Sequence, residues 1–299
     1  LFRVIGLFMV AVLVLTGAGF ASAAVIKKRS DRLETVAGLK WHTDYAAARR
    51  VAKRDGRLLL INFLPKRGDE VQQDLERALE SEAELRDGLA EMVLVRLSTK
   101  ATTKVDGKKQ PLLDQPGYEE LQGRAGIAIV DFEHKDEPQY GEVVTILPYA
   151  DGKYYRWEPD YLKAALDLPA GSISQRTMIW AVRIHPEHPA STKGEFHPVL
   201  AEAAEEHSEY QARVGVQGHQ GFGGRYQRIR SKLGSGQGSE VVAESWRKQD
   251  MIDSCLDCVR SWRHSPGHWN AVLREHDKYG YDIRKGRNGI WYGTGIFAD

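Results

Sequence analysis

Four short apolar runs, each the length of one buried strand, constrain this chain more than anything else in it. They are Arg57-Leu58-Leu59-Leu60-Ile61-Asn62-Phe63, Met92-Val93-Leu94-Val95-Arg96-Leu97, Gly126-Ile127-Ala128-Ile129-Val130-Asp131-Phe132 and Glu142-Val143-Val144-Thr145-Ile146-Leu147. Each is continuous rather than alternating, the pattern of a strand covered on both faces. Before the first run, Asp44 to Arg54 predicts a short helix with Tyr45, Ala48 and Val51 on one face. Thr43 or Asp44 can cap its start, and Asp55-Gly56 ends it. Between the first two runs, Asp69 to Glu91 predicts a long helix with acidic and basic faces, and Asp160 to Leu166 predicts a closing one. Strands alternating with helices in this way mean an α/β layer built on right-handed crossovers.

The apolar fraction of 42% supports a packed core, and 299 residues suffice for two ordinary domains. With 42 basic against 41 acidic side chains, a general electrostatic grip on nucleic acid is excluded, because that needs a marked basic excess. The N-terminus has its own character. Arg3 is the one charge before Lys27, Val4 to Leu15 is densely apolar, and Ala21-Ser22-Ala23 offers a small-residue cleavage site. Residues 1–23 therefore read as a signal peptide. The alternative is a membrane anchor, since the charge-free run from Val4 to Ile26 is long enough to span a bilayer. Either way the expected address is secreted, periplasmic or cell-envelope. Two cysteines, Cys255 and Cys258, make no disulfide framework, as in bacterial envelope proteins rather than small disulfide-rich secreted domains.

Residues 24–38 are polar and read as a linker. From there Lys40-Trp41, the Ala-rich helix, Asp55-Gly56-Arg57 and the strand ending Ile61-Asn62-Phe63 resemble the opening of a thioredoxin-like domain, spanning residues 39–168. That family carries Cys-x-x-Cys after this strand, where Leu64-Pro65-Lys66-Arg67-Gly68-Asp69 stands here, and Arg124-Ala125-Gly126-Ile127 stands where its cis-proline is expected. Without a thiolate, dithiol–disulfide exchange cannot occur at this place. The resemblance implies a fold and denies the activity.

Leu168-Pro169-Ala170-Gly171-Ser172 breaks the pattern, and residues 169–193 read as a linker in which Met178 to Ile184 alternates like a strand. Val199 to Val214 then predicts a helix whose apolar stripe holds Leu200, Ala203, Ala204, His207, Tyr210 and Val214. His207 on that stripe reads as a core histidine. Gly215 to Gly238 reads as a long surface excursion. Met251 to Trp262 predicts a second helix, with Met251, Ile252, Cys255, Cys258, Val259 and Trp262 inward. Ser265-Pro266-Gly267 stops it, since Pro restricts its predecessor and lacks an amide donor, and His268 opens a further short helix. Tyr279 to Ile283 and Gly289 to Phe297 read as strands. Cys255 and Cys258 fall mid-helix on the apolar face, which favours packing over the redox reading; a disulfide between them stays open. His264 reads as solvent-facing.

The order of His207-Ser208, His219, Val242-Ala243-Glu244-Ser245, Trp262 through Ser265-Pro266-Gly267-His268 to Leu273, and the closing Trp291 to Phe297 resembles the CAP superfamily, especially its bacterial SCP-like branch, over residues 194–299. The resemblance implies an α-β-α sandwich with a cleft. Carried over, His219 and Glu244 match the family's first histidine and its Gly-Glu-Asn glutamate, and His268 matches the histidine of the bacterial branch. Tyr292 stands where the second family histidine belongs, and the second glutamate has no clear counterpart. Two imidazoles and a carboxylate are a workable ligand set for a divalent metal such as Zn²⁺; without metal, the same groups can position a water.

The fold class expected is thus α/β followed by α+β: a redox-inactive thioredoxin-like domain and then a CAP-like sandwich. The expected function is binding of an extracellular peptide, glycan, lipid or other small molecule in the cleft formed by His219, Glu244 and His268. Two alternatives stand beside it. One is a metal-assisted hydrolase acting on envelope peptide or peptidoglycan, and the other is a structural adaptor that uses the thioredoxin-like half. Fold alone does not choose among them.

Overall fold

Strand β1 (Leu33–Val36) and strand β2 (Leu39–His42) form a hairpin, so part of the expected linker is already sheet. The computed structural model describes residues 32–66, 69–234 and 238–299; the expected signal or anchor lies outside them. Helix α1 (Tyr45–Asp55) starts where Asp44 accepts a hydrogen bond from the Ala47 amide and stops at left-handed Gly56, as its sequence requires. Strand β3 (Leu59–Leu64) follows. The long helix expected next is two, α2 (Glu70–Ser81) and α3 (Ala83–Ala90), broken at an extended Glu82. The Ser81 hydroxyl donates back to the Arg77 carbonyl beside the break, a bond that favours bending.

Strand β4 (Val93–Ser98), the small hairpin β5 (Thr102–Val105) and β6 (Lys108–Pro111), then β7 (Gly126–Val130), β8 (Val143–Pro148) and α4 (Pro159–Leu166) complete this half. The six-stranded sheet runs β1-β2-β4-β3-β7-β8. Strand β3 lies parallel to β4, while β7 lies antiparallel to both β3 and β8. Strands β7 and β8 are buried along their whole length, and β3 as far as Phe63, in keeping with their continuous apolar runs.

The segment expected to be a linker holds a helix instead, α5 (Ile173–Arg183). Every residue from Ser174 to Val182 is buried. A helix covered on all sides shows no amphipathic period, which is why Met178 to Ile184 imitates a strand. A local signal was present: Ser172 and Gln175 form a reciprocal capping box. Helix α5 packs against β8 and against the second sheet, so one apolar core runs through both sheets.

That second sheet has the order β10-β12-β11-β9. Its elements are β9 (Glu195–Phe196), α6 (Pro198–Val214), α7 (Phe222–Leu233), β10 (Gly238–Glu244), α8 (Met251–Arg263), α9 (Pro266–Leu273), β11 (Lys278–Lys285) and β12 (Trp291–Ala298). Helix α7 occupies the stretch expected as a surface excursion, with left-handed glycines at both ends, Gly221 and Gly234. Helices α5 and α8 pack together against this half, and α6 lies along β11 and β12. The expected inward residues of α8 are all buried. Helix α6 buries Leu200, Ala203, Ala204 and His207 as expected, but in its last turns Ser208 and Gln211 face in while Tyr210 and Val214 are exposed. The reason is a buried polar cluster. Ser208 Oγ and Gln211 Nε2 each donate to Thr294 Oγ1 at 3.0 Å, and Ser208 Oγ also reaches the Asp282 carbonyl. The protein is thus a mixed α and β structure.

Candidate functional site

Helix α6 places the first histidine. His207 is buried, and its Nε2 donates to the Gly218 carbonyl at 2.8 Å. Gln211 Oε1 accepts from the Gly218 amide at 3.0 Å. One turn of α6 thereby pins both polar groups of the residue before His219. His207 is accordingly the satisfied core histidine its position predicts, and its pKa is lowered, first by burial.

The second histidine comes from the helix break. Helix α8 ends at Arg263, Pro266 takes the first turn of α9, and His268 follows in that turn. Buried Trp269 fixes the helix: its Nε1 donates to Glu187 at 3.0 Å, and its ring lies 4.7 Å from that of His185. His264 is exposed, as expected.

These two elements bring His219 and His268 together, with their Nε2 atoms 3.1 Å apart. The carboxylate they meet is Glu240, not Glu244. His219 Nδ1 lies 2.9 Å from Glu240 Oε1, and Arg225 Nε and Nη2 reach Glu240 Oε2 at 2.8 and 2.5 Å. Glu240 and Arg225 are buried, and His219 is exposed. The result is a chain, Arg225–Glu240–His219–His268, running from the interior to the surface. Glu244 is exposed at the far end of β10, about 13 Å of strand away from Glu240. Both glutamates point to one face of β10, and only Glu240 stands where the connection from α6 delivers His219. Tyr292 is fully buried and accepts from Asn288 Nδ2 through its hydroxyl at 2.8 Å.

The chain has a definite proton arrangement. Paired with Arg225, the carboxylate is an acceptor, so His219 carries its proton on Nδ1 and offers the Nε2 lone pair. His268 then donates through Nε2–H and keeps a free lone pair on Nδ1. Burial lowers the His268 pKa, the neighbouring His219 lowers it further, and Glu240 pulls the other way. Such a pair can orient a water or accept a proton from a ligand. Among the described residues no Ser, Thr or Cys side chain hydrogen-bonds to either histidine, so a nucleophile from this set would have to be water.

The donor set does not fit the three-ligand metal site expected of His219, Glu244 and His268. Glu244 is elsewhere, and both oxygens of Glu240 are engaged. Two imidazoles by themselves leave a zinc site one ligand short. Glu240 instead occupies the position of a carboxylate behind an imidazole, orienting it.

A groove of about 370 Å³ adjoins the chain, lined by His207, Tyr210, Arg213, Gln220, Arg225 and Arg228 among others. The histidines His219 and His268 stand outside its lining.

Cys255 and Cys258 are free and fully buried, and burial pushes both thiols up in pKa. Cys258 Sγ lies 3.1 Å from where a Cβ on Gly293 would stand, so the thiol fills a space against the sheet. Neither cysteine is expected to react with Ellman's reagent in the native protein, and both should react once urea unfolds it. Stoichiometric native labelling would show that the helix opens.

No protein-family model matches this chain, and no curated protein is significantly similar to it. Among solved structures it is similar to an outer surface protein from Borrelia burgdorferi, at 23% identity and a TM-score of 0.30, over 36% of this chain and 77% of that one. A likeness of that size assigns neither fold nor function.

Proposed function

We propose that this is an exported bacterial envelope protein that binds an extracellular peptide, glycan or lipid at the surface where His219 and His268 meet. In this reading residues 39–168 are a thioredoxin-like half without thiols, and residues 194–299 are a CAP-like half. The β4-β3-β7-β8 order, with one parallel pair and two antiparallel pairs closed by α4, supports the first assignment. Helices α5, α6 and α8 packed on the antiparallel strands β10-β12-β11, with β9 added in parallel, support the second. Among the described residues no helix is long and apolar enough to cross a membrane; the export reading rests on residues 1–23.

The observation that carries the binding reading is the Arg225–Glu240–His219–His268 chain. It holds two imidazoles at the surface beside a groove and spends its one carboxylate on positioning them. A second reading, water-mediated hydrolysis, is favoured by the Nδ1–carboxylate contact at His219, which leaves a lone pair aimed at the second imidazole.

The test uses the full chain and a soluble muropeptide, which offers glycan and peptide together. Binding should perturb the imidazole resonances of His219 and His268, and His268→Ala should weaken it at least tenfold. Perturbation that ignores both histidines would sink the reading. Release of new amine or reducing ends from the muropeptide would move it to hydrolysis.

A further inference from the structure

One end of the second sheet gathers exposed cations together with exposed apolar side chains. There β10 finishes, β11 finishes and β12 begins: Lys285 pairs with Trp291, Glu244 pairs with Tyr292, and the Ser245 amide donates to the Trp291 carbonyl. The end of α6 abuts the same turn, since a Cβ on Gly286 would stand 2.9 Å from the Ala212 carbonyl. The loop of residues 151–155 joins it through its three amide bonds to Asp253 of α8.

This end carries six exposed cations, Lys153, Arg213, Arg247, Lys248, Lys285 and Arg287. None of the six makes an ion pair with another described residue. By contrast, Arg225, Arg228, Lys232 and Arg284 nearby are all matched to carboxylates. Acids stand among them as well: Glu209 is shared with Arg284, Glu244 and Asp151 are exposed, Glu120 lies near Lys285, and buried Asp253 and Asp257 lie near Lys153. Three of the cations line a concavity of about 630 Å³ at the β11–β12 turn, together with Glu209, Ala212 and Arg284.

Apolar side chains are exposed at the same end. Trp246 is 68% exposed, Val216 54% and Val214 45%, among six large apolar side chains left exposed in the described residues. Trp246 is not loose. Its amide donates to Gln249 Oε1 at 2.9 Å, its carbonyl accepts from the Ser245 hydroxyl at 3.0 Å, and Lys153 Nζ sits 5.9 Å from its ring. A rigid loop thus holds a tryptophan out into solvent between lysines and arginines.

We propose that this end of the sheet docks on an anionic lipid bilayer. Unpaired Lys and Arg meet the lipid phosphates, while Trp246 and the valines enter the headgroup layer, where amphipathic rings and short aliphatic chains are favoured. A soluble polyanion would satisfy the cations and leave the exposed Trp246, Val214 and Val216 without a partner; a bilayer accounts for both. The surface shares Arg213 with the groove beside the His219–His268 pair, so the variants that test it leave Arg213 and both histidines in place and the two readings fail separately.

The experiment compares partition of the full chain onto phosphatidylcholine vesicles with and without phosphatidylglycerol. The apolar N-terminal segment and its flanking Arg3, Lys27, Lys28 and Arg29 are the same in every variant, so the difference between variants on one vesicle composition isolates this surface. Removing one cation near an anionic surface weakens binding about fivefold. The variant carrying Arg247→Gln, Lys248→Gln, Lys285→Gln and Arg287→Gln is therefore expected to lose more than about a hundredfold of the phosphatidylglycerol-dependent partition. Its exposed sites should leave thermal unfolding unchanged. The second readout is quenching by brominated phosphatidylglycerol of the emission lost in Trp246→Phe. No dependence on phosphatidylglycerol together with no quenching of Trp246 overturns the proposal. So does binding that soluble polyphosphate abolishes and Trp246→Ala leaves intact.

Discussion

Replacing Asp253 with alanine is expected to cost about 3–5 kcal/mol of unfolding free energy, since it strips the partner from three backbone amides at once. The carboxylate is almost fully buried. Its Oδ1 accepts from Tyr154 N at 2.8 Å and Tyr155 N at 3.1 Å, and its Oδ2 accepts from Lys153 N at 2.5 Å. The loop is shaped for this contact: a Cβ on Gly152 would come within 2.5 Å of Oδ2, so no larger residue fits there without moving the loop. Asp253 itself is set by the start of α8, where Asp250 accepts from its amide at 2.9 Å. Hydrogen bonds to a charged acceptor contribute about 1.5–3 kcal/mol each, and water recovers part of that at the exposed Lys153. Asp253→Asn keeps one acceptor oxygen and should fall between wild type and alanine. Urea unfolding reads the effect as a lower midpoint at unchanged slope. Amide exchange at residues 153–155 should accelerate in step. A loss below about 1 kcal/mol would mean that water replaces the carboxylate and that the loop is not held by it.

That clamp joins the first half of the chain to the second, and nothing local in the sequence announces it. Legibility here followed the range of the interactions involved. The strands around Leu59–Phe63, Val93–Leu97, Ile127–Val130 and Val143–Leu147 declare themselves because burial on both faces leaves an unbroken apolar run. Helix α8 and the stop at Ser265-Pro266-Gly267 are equally local. Helix α5 was hidden for the opposite reason. Its surroundings belong to both sheets, so its polar residues Ser174, Gln175, Arg176 and Thr177 are buried like the apolar ones and set no period, and its capping box was the one signal left. The departure in the last turns of α6 has a similar origin: Ser208 and Gln211 face inward because Thr294, on a strand far along the chain, gives them a partner. At the candidate site His219 and His268 were readable from their order along the chain. The carboxylate was not, because Glu240 and Glu244 share one face of one strand, and only the path of the connection from α6 selects between them.

That selection carries the second large effect. Glu240→Ala is expected to destabilise the protein by about 3–5 kcal/mol, because it leaves the Arg225 guanidinium buried without its counter-charge. Arg225 is 6% exposed, and two of its nitrogens bond Glu240 Oε2. Water cannot readily replace the carboxylate at that depth. The pair need not contribute net stability: removing both charges should cost much less than the two single changes summed, and a double-mutant cycle with Arg225→Met measures the coupling. The change should also reach the surface. Without an acceptor at Nδ1, His219 is free to carry its proton on Nε2, which would oppose the Nε2–H of His268 across their 3.1 Å contact. The imidazole ¹⁵N shifts of His219 report that tautomer directly. Glu240→Gln leaves one acceptor oxygen where wild type has two: turned to the Arg225 donors, the amide presents its NH2 to His219 Nδ1. It should lower stability less than alanine does and move the His219 proton to Nε2. If both variants instead leave stability and tautomer unchanged, Glu240 neither neutralises Arg225 nor orients His219. The histidine pair would then have no internal support and no claim to be a built site.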